Sequence, residues 1–160
     1  MKRSRKLKPP SNVLVTVSEQ EKSYFAGYTD AEGCISIYCN RNGAKQMSPQ
    51  WSAYVNFSQT CPTVVEKMHT LYGGSLYVRQ RGGKNRMQKV LRIQSVAEVR
   101  RFLLDVVPYL REKQAQANIV LHQFDVRADH KTNQKLSNLL VRLKAKKLHN
   151  PSALAAQLSL

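Results

Sequence analysis

The strongest constraint on this chain is a change of hydrophobic period that occurs twice in the same order. Ile35, Ile37 and Cys39 alternate with Ser36, Tyr38 and Asn40; after the polar loop RNGAKQMSPQ, Trp51, Ala53, Val55 and Phe57 alternate with Ser52, Tyr54, Asn56 and Ser58. Residues two apart share one side of a strand, so this stretch reads as a hairpin with one apolar and one polar face. The pattern returns further on. Leu76 and Val78 are expected on the core face and Tyr77, Arg79 and Arg81 on the other, with a turn at Gly82-Gly83 before Leu91 and Ile93 rejoin the core.

Helices separate and follow these hairpins. Ser18-Glu19-Gln20-Glu21 is a capping box, which starts a helix that should end near Gly33 in a left-handed C′ conformation. Pro62 opens a second helix with the stripe Val64, Val65, Met68 and Leu71, closed by Gly73-Gly74. Ser95 and Glu98 start a third, broken at Pro108. A fourth is expected from about Tyr109 to Phe124 and a fifth from Lys131 to His149. The order implies an α+β fold, a four-stranded antiparallel sheet with helices on one face and the other left bare and polar. Residues 1–12 read as a flexible basic arm and 13–160 as a single domain, large enough to bury a core.

Charge points to a polyanion partner. Twenty-six Lys and Arg against ten Asp and Glu leave +16, far beyond what solubility needs. Between Gly33 and Ala97 Glu66 is the one acid, against nine Lys and Arg, as expected of a segment lying against phosphates. No apolar run is long enough to span a bilayer, so nucleic acid is preferred over membrane. The bare face should carry Ser36, Tyr38, Asn40, Ser52, Tyr54, Asn56, Tyr77, Arg79, Arg81, Arg86, Gln88 and Arg92, with Asn42 in the adjoining loop. Those are donors and acceptors suited to base edges and phosphates.

Cys34, Cys39 and Cys61 are odd in number and lack zinc-ligand spacing, so they read as small buried hydrophobes in a reducing compartment. Ser23, Gly27 and Ala31 form a stripe of small residues along the first helix, which would let another helix approach closely. Asp30 and Glu32 follow it, the close acid pair that leads into the acid-poor sheet. A carboxylate beside phosphate is costly unless a cation lies between them, and oxygen ligands favour magnesium.

FAGYTDAEG, Phe25 to Gly33, resembles the nine-residue motif of the LAGLIDADG homing endonucleases, with Glu32 at its second acid. The resemblance extends through NFSQT and LYVRQRGG to VPYLREKQAQAN. It implies the αββαββα core with additional C-terminal helices, and metal-dependent cutting of both strands of a long pseudo-palindromic duplex, leaving short 3′ overhangs. It further implies Mg2+ or Mn2+ as cofactor and a mobile group I intron as host. Since only one motif is present, two chains would pair through Ser23, Gly27 and Ala31. The resemblance assigns Glu32 and the Ala31 carbonyl to the metal, Gln59 and Lys113 to catalysis beside Glu32, and Asp30 to a structural role. Where relatives carry Arg, this chain has Thr63, whose task could pass to Lys67. The competing reading is an RNA maturase on the same fold, with intron RNA as partner and little nuclease activity. A chloroplast, a mitochondrion or a prokaryotic cytoplasm would suit either.

Overall fold

The computed structural model describes residues 16–40, 49–80, 87–126 and 129–145. Within them α1 (Glu19–Glu32) leads into β1 (Cys34–Asn40) and β2 (Gln50–Gln59), and α2 (Thr63–Tyr72) into β3 (Ser75–Gln80) and β4 (Met87–Ile93). Three helices follow: α3 (Val96–Val106), α4 (Gln114–Asp125) and α5 (His130–Lys144). The expected arm, the Gly82-Gly83 turn and the stretch beyond Ala145 lie outside the described residues, as do Asn42, Arg81 and Arg86.

The strands form one antiparallel sheet in the order β1-β2-β4-β3. Each hairpin pairs internally, and the two are joined at the centre where Val55 lies opposite Ile93 and Gln59 opposite Lys89. The helices cover one face, and the apolar parity of the strands meets them. Ile35, Val55, Phe57, Leu91 and Ile93 are fully buried against Phe25, Met68, Phe102 and Leu103. Edge-to-face aromatic pairs run Phe25–Tyr72–Phe102–Phe57 through the centre, with centroids 6.1, 5.0 and 6.0 Å apart.

The capping boxes start their helices as expected: Ser18 Oγ accepts from the Glu21 amide and Ser95 Oγ from the Glu98 amide. Gly73 and Gly74, with φ of 80° and 89°, turn the chain from α2 into β3. Gly33 differs from expectation. Its φ of −76° is extended, not left-handed. What it supplies is space, since a Cβ there would lie 2.8 Å from the Thr29 carbonyl oxygen and 3.0 Å from the Phe57 ring.

The region after Pro108 also departs from the expected continuous helix. A single 3-10 turn (Val107–Tyr109) is followed by extended backbone at Leu110, and α4 starts only at Gln114. The cause is tertiary: the Asp30 carboxylate accepts from the backbone amides of Arg111 (2.8 Å) and Lys113 (2.9 Å), holding that segment out of the helix. The last helix starts at His130 rather than Lys131, because the Asp129 side chain caps it through the Thr132 amide. α5 lies along the outer edge of β1, where Ser137 Oγ donates to the Ile37 carbonyl and so occupies part of an exposed strand edge.

The cysteines are less buried than their reading required. Cys34 and Cys39 are half-buried and Cys61 is exposed, all three free. Their places explain this: Cys34 has the parity of the bare face and Cys61 lies in the turn before α2. No described helix is long and apolar enough to cross a membrane.

Candidate functional site

Glu32 is the last residue of α1, solvent-exposed, at the point where the helix gives way to the first strand. A helix C-terminus carries partial negative charge from its unpaired carbonyls, so a carboxylate there needs positive charge nearby. Lys113 supplies part of it. Its ammonium donates to the carbonyl oxygens of Thr29 (2.9 Å) and Asp30 (2.5 Å). Burial of this ammonium holds its pKa below the ordinary lysine value, while Asp30, Cys34 and Glu32 pull the other way. The lysine is the N-cap residue of α4, not an internal helix position.

Tyr28, one turn before Glu32, was not singled out by the sequence reading and belongs to the same group. Its ring stacks on Phe57 at 5.8 Å. Burial first, and then the charge of Glu32, push its phenol up to about 12. Phe57 also leads to Gln59, two residues on and therefore on the same side of β2. The structure thus gathers Glu32, Lys113 and Tyr28 at the end of α1, with Gln59 on the neighbouring strand end.

One expectation for the surrounding bases changes. Lys67 forms an ion pair with Glu21 at 2.5 Å, at the other end of α1, so it does not stand in for the residue that Thr63 replaces. Lys89, opposite Gln59 in the β2–β4 ladder, extends to the helix side and pairs with Glu66. That pair turns Glu66 away from the bare face.

The oxygen donors at the end of α1 suit a hard divalent cation: an exposed carboxylate, the exposed peptide of Ala31 and the negative end of a helix. Lys113 takes the carbonyls of Thr29 and Asp30, neither of which belongs to the expected ligand set. Among the described residues no three His, Cys, Asp or Glu side chains form a metal cage.

The bare face of the sheet opens beside this cluster. Register places Ser36, Tyr38, Asn40, Ser52, Tyr54, Asn56, Ser58, Tyr77, Arg79, Gln88 and Arg92 on it, together with Val90, which the sequence reading did not place there. Among the described residues of these strands none on this face is acidic. Arg92 lies over the rings of Tyr54 and Tyr38, 4.2 and 5.2 Å from their centroids, which fixes the guanidinium in the middle of the sheet. Ser58 donates to Gln88 at 3.0 Å. At the β1 edge Lys144, from the end of α5, reaches Ser36 Oγ at 2.9 Å.

The stripe Ser23, Gly27 and Ala31 faces solvent on the side of α1 away from the core, flanked by Tyr24. Among the described residues a Cβ built on Gly27 meets nothing within 4 Å, so no close contact among them accounts for glycine at this mid-helix position.

Neither a family model nor a curated protein sequence matches the chain. Solved structures do. The homing endonuclease I-CvuI in complex with a DNA target superposes with a TM-score of 0.60 at 21% identity, over 78% of this chain and 83% of that one. The archaeal intron-encoded homing endonuclease I-Vdi141I, complexed with DNA, gives a TM-score of 0.57 at 15% identity, over 78% and 84%. The LAGLIDADG meganuclease I-CpaMI bound to uncleaved DNA gives 0.54 at 20% identity, where the match covers 75% of this chain but 40% of the longer neighbour. At such identity the likeness establishes one thing: the chain has the LAGLIDADG homing-endonuclease fold.

Proposed function

We propose that the protein is a site-specific homing endonuclease that hydrolyses both strands of a long pseudo-palindromic duplex as a homodimer, leaving short 3′ overhangs. The observation that carries this reading is an exposed carboxylate, Glu32, at the negative end of a helix, opening onto a sheet face without acids and backed by Lys113. A protein that only binds nucleic acid gains nothing from a carboxylate there, since it repels phosphate.

In this reading Glu32 and the Ala31 carbonyl hold a magnesium or manganese ion at the scissile phosphate; structural neighbours were solved with magnesium or calcium present. When bound, the ion supplies Lewis acidity and neutralises charge on the leaving 3′ oxygen. Gln59 orients the attacking water through its side-chain amide. Lys113 stabilises developing charge on the phosphate, and its burial-lowered pKa makes it a better proton exchanger than a surface lysine. Ser23, Gly27 and Ala31 pair two copies of α1, which brings two carboxylates to one duplex. The sheet faces read the bases, and a mobile group I intron is the expected host of the coding sequence.

The test is linearisation of a plasmid that carries the uninterrupted insertion sequence, in magnesium, calcium and chelator. Wild type should cut in magnesium only. Glu32→Gln should not cut, yet should bind the duplex at least as tightly, because one negative charge near phosphate is gone. If wild type leaves that site intact in magnesium and instead binds the intron RNA tightly, the maturase reading replaces this one.

A further inference from the structure

The β2–β4 ladder ends at Val55 and Ile93 because β4 gives way to α3 at Ser95, so the sheet is incomplete beside the first residues of β2. A cavity of about 200 Å3 fills the gap, on the helical side and at the end of β2 opposite Gln59. Trp51 and Phe124 give it aromatic walls, the buried Ala53, Gln123 and Asn133 line it further in, and the exposed Gln94 and Val96 stand at its mouth.

Two features set this cavity apart from a packing defect. The Trp51 ring is oriented, its Nε1–H donating to His130 Nδ1 at 2.9 Å. Beneath it Gln123, 7% exposed, donates its amide N–H to Asn133 Oδ1 at 2.6 Å, while its own buried oxygen has no donor among the described residues. Leaving such an oxygen unpaired is costly, and a ligand that brings a donor offsets that cost on binding. Gln123 lines the cavity but its oxygen is closed off from it, so a ligand's donor reaches that oxygen by turning the amide away from Asn133.

We propose that this cavity takes one unpaired nucleobase, its ring against Trp51 and Phe124 and its exocyclic amine donating to Gln123. Size, chemistry and charge select that occupant. A volume of about 200 Å3 lies below the ~300–1,000 Å3 that encloses drug-sized ligands, so one ring system fits and a whole dinucleotide does not. Aromatic faces with amide edges are how proteins hold unstacked bases. His130 and Lys131, both exposed at the start of α5, flank the site, and a chain of net charge +16 concentrates phosphate-bearing ligands around it. A duplex on the bare face of the sheet keeps its bases stacked and lies on the other side, so the base comes from a free nucleotide or a single strand.

Trp51 is the single tryptophan of the chain, so its emission reports on this cavity alone. The experiment titrates the full-length protein with adenosine monophosphate, with a single-stranded oligoadenylate RNA, and with an abasic oligonucleotide of equal length. Saturable quenching by the first two, and none by the abasic strand, is expected. Tighter binding of the oligoadenylate assigns the site to single strands, and equal affinity per base assigns it to free nucleotides. Gln123→Leu should weaken binding at least tenfold. Val96→Glu, on an exposed residue where a carboxylate suits the helix start, should do the same without touching the core. Equal quenching by the abasic strand, quenching that never saturates, or unchanged affinity in Val96→Glu overturns the proposal. Glu32→Gln should leave the quenching as it is, so failure of the nuclease reading and failure of this site are told apart.

Discussion

The ammonium of Lys113 lies 2.9 Å from the carbonyl oxygen of Thr29, tying the segment before α4 to the end of the helix that carries Glu32. One lysine therefore closes a helix end and places positive charge beside the candidate metal ligand. Lys113→Met separates the two tasks. Loss of the hydrogen bonds should lower stability by about 1–2 kcal/mol, measurable by thermal melting, whereas cleavage should fall far more than the melting shift explains. Its pH dependence has a definite sign. The folded pKa lies below the unfolded 10.5, so in the window between them the unfolded chain binds more protons and stability rises with pH. Lys113→Met should lack that rise.

Tyr28 offers a readout that needs no activity. Its phenol, pushed up to about 12, is raised partly by the charge of Glu32. In Glu32→Gln the Tyr28 titration, followed by NMR of ring-labelled tyrosine, should move down toward the ordinary value of 10. An unchanged titration would place Glu32 away from Tyr28 and undo the geometry of the cluster.

Gly33→Ala tests close approach. The new Cβ would press on the Thr29 carbonyl at 2.8 Å and on the Phe57 ring, both of which lie in packed surroundings. Overpacking of this kind costs roughly 1–3 kcal/mol. Chemical denaturation should show that loss, and cleavage should drop with it, because the displaced backbone carries Glu32.

Gly27 separates a lone chain from a pair. In an isolated chain Gly27→Ala meets open space and should stabilise α1 by up to ~1 kcal/mol. In a pair packed through that surface, Gly27→Leu should drive the helices apart. Sedimentation is expected to show a wild-type dimer and a monomeric Gly27→Leu; a monomeric wild type, free and on DNA, would end the pairing proposal.

Arg79→Ala and Arg92→Ala should relax discrimination at particular base pairs by about 1–3 kcal/mol each, measured by binding to a panel of single-substituted sites. Arg92 differs in being held by Tyr38 and Tyr54. Tyr54→Leu should therefore reduce discrimination at the same base pair as Arg92→Ala, though Tyr54 itself lies beside that position. A uniform loss over all sites would make these arginines phosphate contacts.

The sheet and its two faces were legible in the sequence because strand parity survives any detail of packing. Val90 shows the limit of that rule. It is fully buried yet has the parity of the bare face, where Tyr77 and Ser58 lie opposite it. The true start of α4 was not legible, since what prevents helix from Leu110 to Lys113 is the carboxylate of Asp30, some eighty residues earlier in the chain. Nor was Tyr28, whose place in the cluster depends on stacking with Phe57 across the core. Local pattern identifies elements; contacts between distant segments decide how their ends are finished.

The small stripe and the acid at its end belong to one rigid helix, and this has a geometric consequence. Ala31 and Glu32 are neighbours in α1, so in a paired protein the distance between the two carboxylates is set by how near Gly27 allows the helices to come. In the proposed dimer the helix crossing would then act as a ruler, fixing the stagger between the two nicks whichever bases the sheets select. Variation on the bare face could redirect the protein to new sites without changing the kind of end it leaves.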